Sequence, residues 1–469
     1  MSTITIKNWT LVLIFFSMAL VSIFWQLKNI DFQFYDEAFY LINSTNLSDI
    51  QASWSPLYSI WYKTFSWWGT FLEVYMRNYV LQTFLLSVII IISYLTNRSI
   101  ETLIFGLILI SGFGVSVWPK VTYLIAILCF AVPLFFNLAK IKDNQSFFKI
   151  MSLFALMLSY IRPEFYLTFI LCLLIVINIV FRNKKLDYFS SIIFFLFSLS
   201  VFYLPLGGDR SLVAFGQHYA IHQNLLGSMN INPWVEWQTI LNNDFNNPSG
   251  FLEIISNNPA GFFEHVINNL SYPLLIFFDK SDFIKENLWL RYPVALISFF
   301  LFISIVYLIK KISKTKNHFF IFLSFMSPLI ISIVLIYPRN HYLVMLFAFT
   351  YMGIAIFFKN QFIYKNILLN LKIFLITLLF SLSSFFILKQ DSKETYTEIN
   401  DLISLDLCYS ESYENTEQLL EILNFNKVCE QKKDSRTFLI VENNVDVHSR
   451  KSCKIYFQSK NYKVFSCSD

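Results

Sequence analysis

Asp36 and Glu37 stand side by side in the stretch Tyr35-Asp36-Glu37-Ala38-Phe39-Tyr40, just beyond the first long apolar run of a chain with few acids. Carboxylates at a membrane boundary are costly unless they are solvated, paired or at work, so the pair is a candidate functional site. If the stretch is helical, Asp36 and Tyr40 share a face while Glu37 points about 100° away. One carboxylate could then take a proton while the other organises a cation or a metal. The plainer alternative is two solvated acids opening a helix, where the dipole favours negative charge.

A base needs something to work against, and three cations stand at proline turns: Trp118-Pro119-Lys120, Ile161-Arg162-Pro163-Glu164 and Tyr337-Pro338-Arg339-Asn340-His341. Arginine grips a phosphate through two parallel N–H donors. Each cation also follows the C-terminal end of an apolar run, where the helix dipole alone would favour it. Arg77 opens the second apolar run, and His341 beside Arg339 is a candidate substrate contact. His218 and His222 have the i, i+4 spacing of metal ligands on one helix face. They have no third ligand in the sequence pattern, so packing is the simpler role. No cofactor motif is present, and a divalent metal stays open as the alternative to protein cations. The absence of a Walker A loop, a dinucleotide fingerprint and a Gly-x-Ser-x-Gly elbow argues against a nucleotide-driven pump or a serine hydrolase.

The chain that must position these residues is 56% hydrophobic and 14% charged over 469 residues. Soluble domains carry about 25% charged residues. Repeated apolar runs of about 20 residues predict an all-α polytopic membrane protein. About eleven spans are expected, at 9–27, 79–97, 103–118, 121–138, 147–161, 165–181, 188–206, 292–309, 319–336, 342–358 and 372–388. With the N-terminus cytoplasmic, the inner segments collect Lys7, Arg98, Lys140, Lys142, Lys149, Arg182, Lys184, Lys185, Lys310, Lys311, Lys314, Lys316, Lys359 and Lys365. The short outer turns collect only Lys120, Arg162 and Arg339. That asymmetry sets orientation and accounts for the formal charge of +5 without any nucleic-acid partner.

Two large outer loops then follow, 28–78 and 207–291, within a membrane module of residues 1–388. Residues 54–77 are dense in Trp, Tyr and Phe but interrupted by Lys63, Glu73 and Arg77, which predicts one or two helices lying in the interface plane. Residues 147–181 must cross twice in too few residues, which places the Arg162-Pro163-Glu164 turn below the outer surface, facing a cavity. Residues 389–469 form a small outer α+β domain, helical near 416–423, with strands near 437–441 and 454–457. Cys408, Cys429, Cys453 and Cys467 lie in it, and an outer location favours disulfides of undetermined connectivity over free thiols.

Asp-Glu-x-x-Tyr in the first outer loop, directly after the first span, resembles the GT-C glycosyltransferases. The likeness is greatest to the branch of protein O-mannosyltransferases and bacterial lipid A aminoarabinose transferases. It covers the layout of residues 9–181, and at residue level Asp36, Glu37, Tyr40 and Arg77. The Arg162-Pro163-Glu164 turn is similar to an Arg-Pro-Glu element frequent in predicted proteins of this superfamily. The resemblance implies a multi-span bundle in a bacterial plasma membrane, Asp36 as the catalytic base and Glu37 in support. It further implies a sugar donor carried on a polyprenyl phosphate and a lipid, glycan or protein acceptor of the cell envelope. Tyr40, Arg77, Lys120, Arg162, Glu164, Arg339 and His341 become the candidate substrate contacts. The chemistry agrees: an attacking hydroxyl must lose its proton to a base, and a departing phosphate needs positive charge. Two other classes remain. A flippase or transporter of polyprenyl-linked glycans would carry polar groups in mid-span, and these spans carry few. A polysaccharide polymerase or ligase would rely on loop arginines, and loop 207–291 has only Arg210 and Arg291.

Overall fold

The computed structural model describes residues 3–29, 31–32, 36–45, 47, 50, 54–97, 99–111, 115, 119–141, 144–183, 196, 200, 210–225, 236–278, 316–336, 340–357, 372–379, 381–382, 399, 402, 411–412, 436–442, 453–458 and 462–468. Among these residues the chain is mostly helical. Four helices are long and apolar enough to cross a membrane, within Trp9–Asn29, Phe71–Asn97, Val121–Leu138 and His318–Leu335.

The helices are α1 (Thr3–Asn29), α2 (Asp36–Asn43), α3 (Pro56–Phe65), α4 (Phe71–Asn97), α5 (Ile100–Ile110), α6 (Val121–Leu138), α7 (Asn144–Ser159) and α8 (Phe165–Asn183). They continue with α9 (Arg210–Leu225), α10 (Trp237–Phe245), α11 (Phe251–Asn257), α12 (Pro259–Phe278), α13 (Lys316–Leu335) and α14 (Asn340–Phe357). Central helix α6 packs against α4 and α14, and α1 packs against α4. The hairpin α7–α8 joins through α13, which touches both α8 and α14. One continuous apolar core runs through α1 to α8, α13 and α14, and α9 to α12 form a separate cluster. On α1, Leu13, Phe16, Leu20, Phe24 and Leu27 are exposed and recur every three or four residues. Such a stripe of large apolar side chains suits a lipid neighbour and not water.

Three expectations change. The run 103–118 is not one long helix: α5 ends at Ile110 and Ser111 is extended, and eleven residues rise only about 16 Å. The interface stretch resolves into α3 and a short 3-10 turn, Ser66–Trp68, after which α4 has already begun at Phe71. Its 27 residues rise about 40 Å, beyond a hydrocarbon core of about 30 Å. The polar first turns bearing Glu73, Arg77 and Asn78 can therefore project past the apolar part that was read as 79–97. Residues 160–164 do form a tight turn between α7 and α8, with Arg162 N–H donating to the Leu158 carbonyl at 2.7 Å. The runs 188–206 (Leu196 and Ser200 apart) and 292–309, and the helix-like 416–423, lie outside the described residues. Of 372–388, residues 372–379 are helical.

Near the C-terminus β1 (Glu411–Ser412), β2 (Arg436–Glu442), β3 (Cys453–Gln458) and β4 (Tyr462–Ser468) form a sheet in the order β1-β2-β4-β3. Strand β4 runs antiparallel to both neighbours, and β3 carries a register shift between Ile455 and Phe457.

Close approach of helices rests in one place on a glycine. A Cβ on Gly106 of α5 would sit 2.8 Å from Ile90 of α4 and 3.0 Å from Phe15 of α1, both fully buried. Helix propensity favours Ala over Gly by about 1 kcal/mol, whereas overpacking costs about 1–3 kcal/mol. Gly106→Ala is expected to lower the unfolding midpoint of the detergent-purified protein, since the added methyl meets two fully buried side chains; an unchanged or raised midpoint would show that the contact is soft.

Candidate active site

Helix α2 begins at the Asp36-Glu37 pair, and its geometry separates them. Asp36 is half-buried, whereas Glu37 and Tyr40 are fully buried. The Glu37 carboxylate is the meeting point of four chain segments. Its Oε1 accepts from the hydroxyls of Tyr58 and Tyr62, the latter at 2.5 Å, and from Asn78 Nδ2 at 3.4 Å. Its Oε2 accepts the backbone N–H of Lys120 at 2.8 Å.

Helical spacing supplies these donors. Tyr58 and Tyr62 are one turn apart on α3, and Asn78 and Gln82 one turn apart on α4. Gln82 donates to Asn78 Oδ1 and to the Tyr58 hydroxyl, both at 3.0 Å, and Trp61 Nε1 donates to Asn78 Oδ1 at 2.6 Å. Asn78 Nδ2 also donates to the tyrosine hydroxyls, at 3.1 and 2.8 Å. Deeper in the bundle Gln26 of α1 donates to Thr83 of α4 at 2.7 Å. All four groups aimed at Glu37 are donors, the pattern an ionised carboxylate requires. Burial nevertheless raises its carboxyl from 4.5 to about 7, against the pull of the two tyrosine hydroxyls and of the Lys120 N–H and charge.

Lys120 is fully buried as well. Its Nζ donates to the Val115 carbonyl at 3.2 Å and lies 3.7 Å from the ring centre of Tyr123 and 5.0 Å from that of Tyr79. Burial lowers its ammonium to about 7, and the Glu37 charge partly restores it. Lys120 thus presents its backbone to the carboxylate and its side chain to the protein interior.

Arg162 sits in the turn between α7 and α8, 5% exposed. Its Nη2 lies 2.6 Å from Glu164 Oε1, and Nε donates to the same oxygen at 2.7 Å. Burial alone would lower the guanidinium's value; the charge of Glu164, with Tyr342 and Tyr40 nearby, holds it firmly protonated. Its guanidinium carbon is 5.8 Å from the Tyr342 ring, and that ring packs on His341 at 4.2 Å between centres. The same turn is tied to α3, because Leu57 N–H donates to the Tyr160 carbonyl at 3.1 Å.

Two of the three proline turns therefore dock on the α2–α3 unit, one through Glu37 and one through Tyr40 and Leu57. Asp36, Tyr40, Arg162 and Glu164 belong to these elements, and His341 of α14 stands beside Arg162 through the Tyr342 ring. Arg77 pairs instead with Glu73 on the half-exposed first turns of α4, at 3.3 Å. Arg339 lies outside the described residues. His218 and His222 are buried on α9, where His222 Nδ1 meets Nδ1 of His265 on α12 at 3.0 Å. His265 Nε2 contacts the Ile336 carbonyl at 3.0 Å, and Asn269 of α12 donates to that carbonyl at 3.1 Å and to that of Val334 at 2.9 Å. Burial lowers His222 to about 4 and His265 to about 3, so both are neutral near pH 7 and act as a joint between α9, α12 and the end of α13. Among the described residues no three His, Cys, Asp or Glu side chains are grouped to hold a metal ion.

Tyr58, Tyr62, Asn78 and Gln82 escaped the sequence reading. The signal was present as two polar i, i+4 pairs in apolar surroundings, which intramembrane chemistry makes informative. Comparison with protein-family models, curated proteins and solved structures finds no match for the chain.

Deleting the shared acceptor strands several buried donors at once. Glu37→Ala is expected to destabilise the protein by about 3–5 kcal/mol, and Tyr58→Phe to cost much less in that background than in wild type, as a double-mutant cycle of unfolding midpoints would reveal. A carboxyl whose folded value is raised contributes stability that is complete below its unfolded value and is lost as pH climbs through the folded one. Wild type should therefore lose stability relative to Glu37→Gln as pH rises from 4.5 to about 7; parallel melting curves for the two across that window would contradict the assignment.

Proposed function

We propose that the protein is a multi-pass membrane glycosyltransferase that moves one sugar from a polyprenyl-phosphate carrier to an outer-face acceptor. The observation that carries this reading is that the Lys120 turn is hydrogen-bonded to α2, the helix that bears Asp36, and the Arg162 turn to the neighbouring α3. A base and a phosphate-binding cation must reach one substrate together, and both are mounted here on one hydrogen-bonded unit.

In the proposed reaction Asp36 takes the proton of the acceptor hydroxyl as its oxygen attacks the anomeric carbon. The carbon–oxygen bond to the phosphate breaks on the opposite face, and its electron pair departs with the polyprenyl phosphate. A single displacement of this kind inverts the anomeric centre. Arg162 meets the developing phosphate charge, oriented by Glu164 and flanked by Tyr40, Tyr342 and His341. Glu37 is a positioning residue, since its carboxylate is fully buried and both oxygens are held by donors from α3, α4 and the Lys120 turn. The orientation, with the N-terminus inside and loops 28–78 and 207–291 outside, follows from the distribution of cations. So does the outer placement of the C-terminal sheet.

A transport reading has one observation in its favour. The uncharged polar groups Gln26, Asn78, Gln82 and Thr83 line buried faces of α1 and α4, where a passing glycan could exchange hydrogen bonds. The same groups are bonded to one another, which closes the stripe in this structure.

Asp36 is half-buried, so Asp36→Asn should fold normally. It is expected to reduce transfer from a defined polyprenyl-phosphate sugar by at least about 100-fold, the usual size of a lost general base. Arg162→Ala should reduce it by about 100-fold or more, with part recovered by Arg162→Lys. Full transfer by folded Asp36→Asn would remove the mechanism, and liposome translocation without transfer would favour the transport reading.

A further inference from the structure

The C-terminal sheet brings together two of the four cysteines that lie beyond residue 400. In the antiparallel pair β3–β4, Cys453 stands directly opposite Cys467. Their Cα atoms lie about 4.5–5.5 Å apart depending on the hydrogen-bonding class of the pair. Both values fall inside the disulfide window of about 4.4–6.8 Å. On its other side Cys467 faces Thr437 of β2. Thirteen residues lie between the two cysteines, so their alignment is the work of the hairpin register and not of chain proximity.

We infer that Cys453 and Cys467 form a cross-strand disulfide that pins β3, an edge strand, to β4, an inner one. Two thiols lose two protons and two electrons, which reduce the disulfide of a thiol–disulfide oxidant to a dithiol. A small sheet whose edge strand also carries a register shift has few other means of fixing its edge. The inference rests on the outer placement of this domain given above, since thiols stay reduced in the cytoplasm.

The test uses the full chain in intact cells and a membrane-impermeant maleimide, with labelled cysteines located by peptide mass mapping. In wild type, Cys453 and Cys467 should resist labelling and become labelled after treatment with an impermeant reductant. Unreduced digests should contain one linked peptide joining them. Cys453→Ser should expose Cys467 to stoichiometric labelling, and Cys467→Ser should expose Cys453. The wild-type peptide map decides the pairing even where a variant fails to fold. Labelling of both wild-type cysteines without reductant would overturn the bond while leaving the orientation intact. Labelling only after permeabilisation would overturn the orientation and the bond with it. A linkage of either cysteine to Cys408 or Cys429 would overturn the proposed pairing.

Discussion

One end of the bundle depends on one buried carboxylate. Glu37 draws a tyrosine pair from α3, an amide from α4 and a backbone N–H from the turn before α6 onto two oxygen atoms. A buried charge tolerates no vacancy in such a ring, because each unmet donor or acceptor carries its full desolvation cost. The position of Asp36 is consequently set by its neighbour. With Glu37 fixed inward, the helical turn leaves Asp36 facing outward, and Tyr40 one turn later is directed toward Arg162.

Much of this was legible in the sequence. Runs of apolar residues give α1, α4, α6 and α13, because period and length suffice to define a helix that can span a bilayer. That Asp36 and Glu37 point in different directions follows from the 100° step alone, and the tight turn at Arg162-Pro163-Glu164 from its proline beside a cation between two apolar runs. The strands near 437–441 and 454–457 stand out through their β-branched and aromatic content.

What the sequence concealed is what tertiary contact decides. Glu37 looked like a companion to Asp36 because adjacency in sequence carries no information about burial. Lys120 looked like a free cation at a turn, yet its ammonium is folded back onto Val115 and Tyr123. Arg77 looked like part of the site, but its own helix supplies Glu73 one turn earlier. The 103–118 run is apolar enough to span, and only the extended backbone at Ser111 ends the helix.

The joint at Ile336 has a mechanical consequence. Helices α9 to α12 form their own apolar cluster around Phe215, which also takes in Leu335 and Ile336 at the end of α13. His265 and Asn269 clasp the carbonyls there. A load applied to this layer is therefore delivered at the tip of a membrane-crossing helix, which acts as a lever arm. Helix α13 packs against α14, the carrier of His341 and Tyr342. Displacement of this layer would thus be geared, through rigid rods, to the ring beside Arg162.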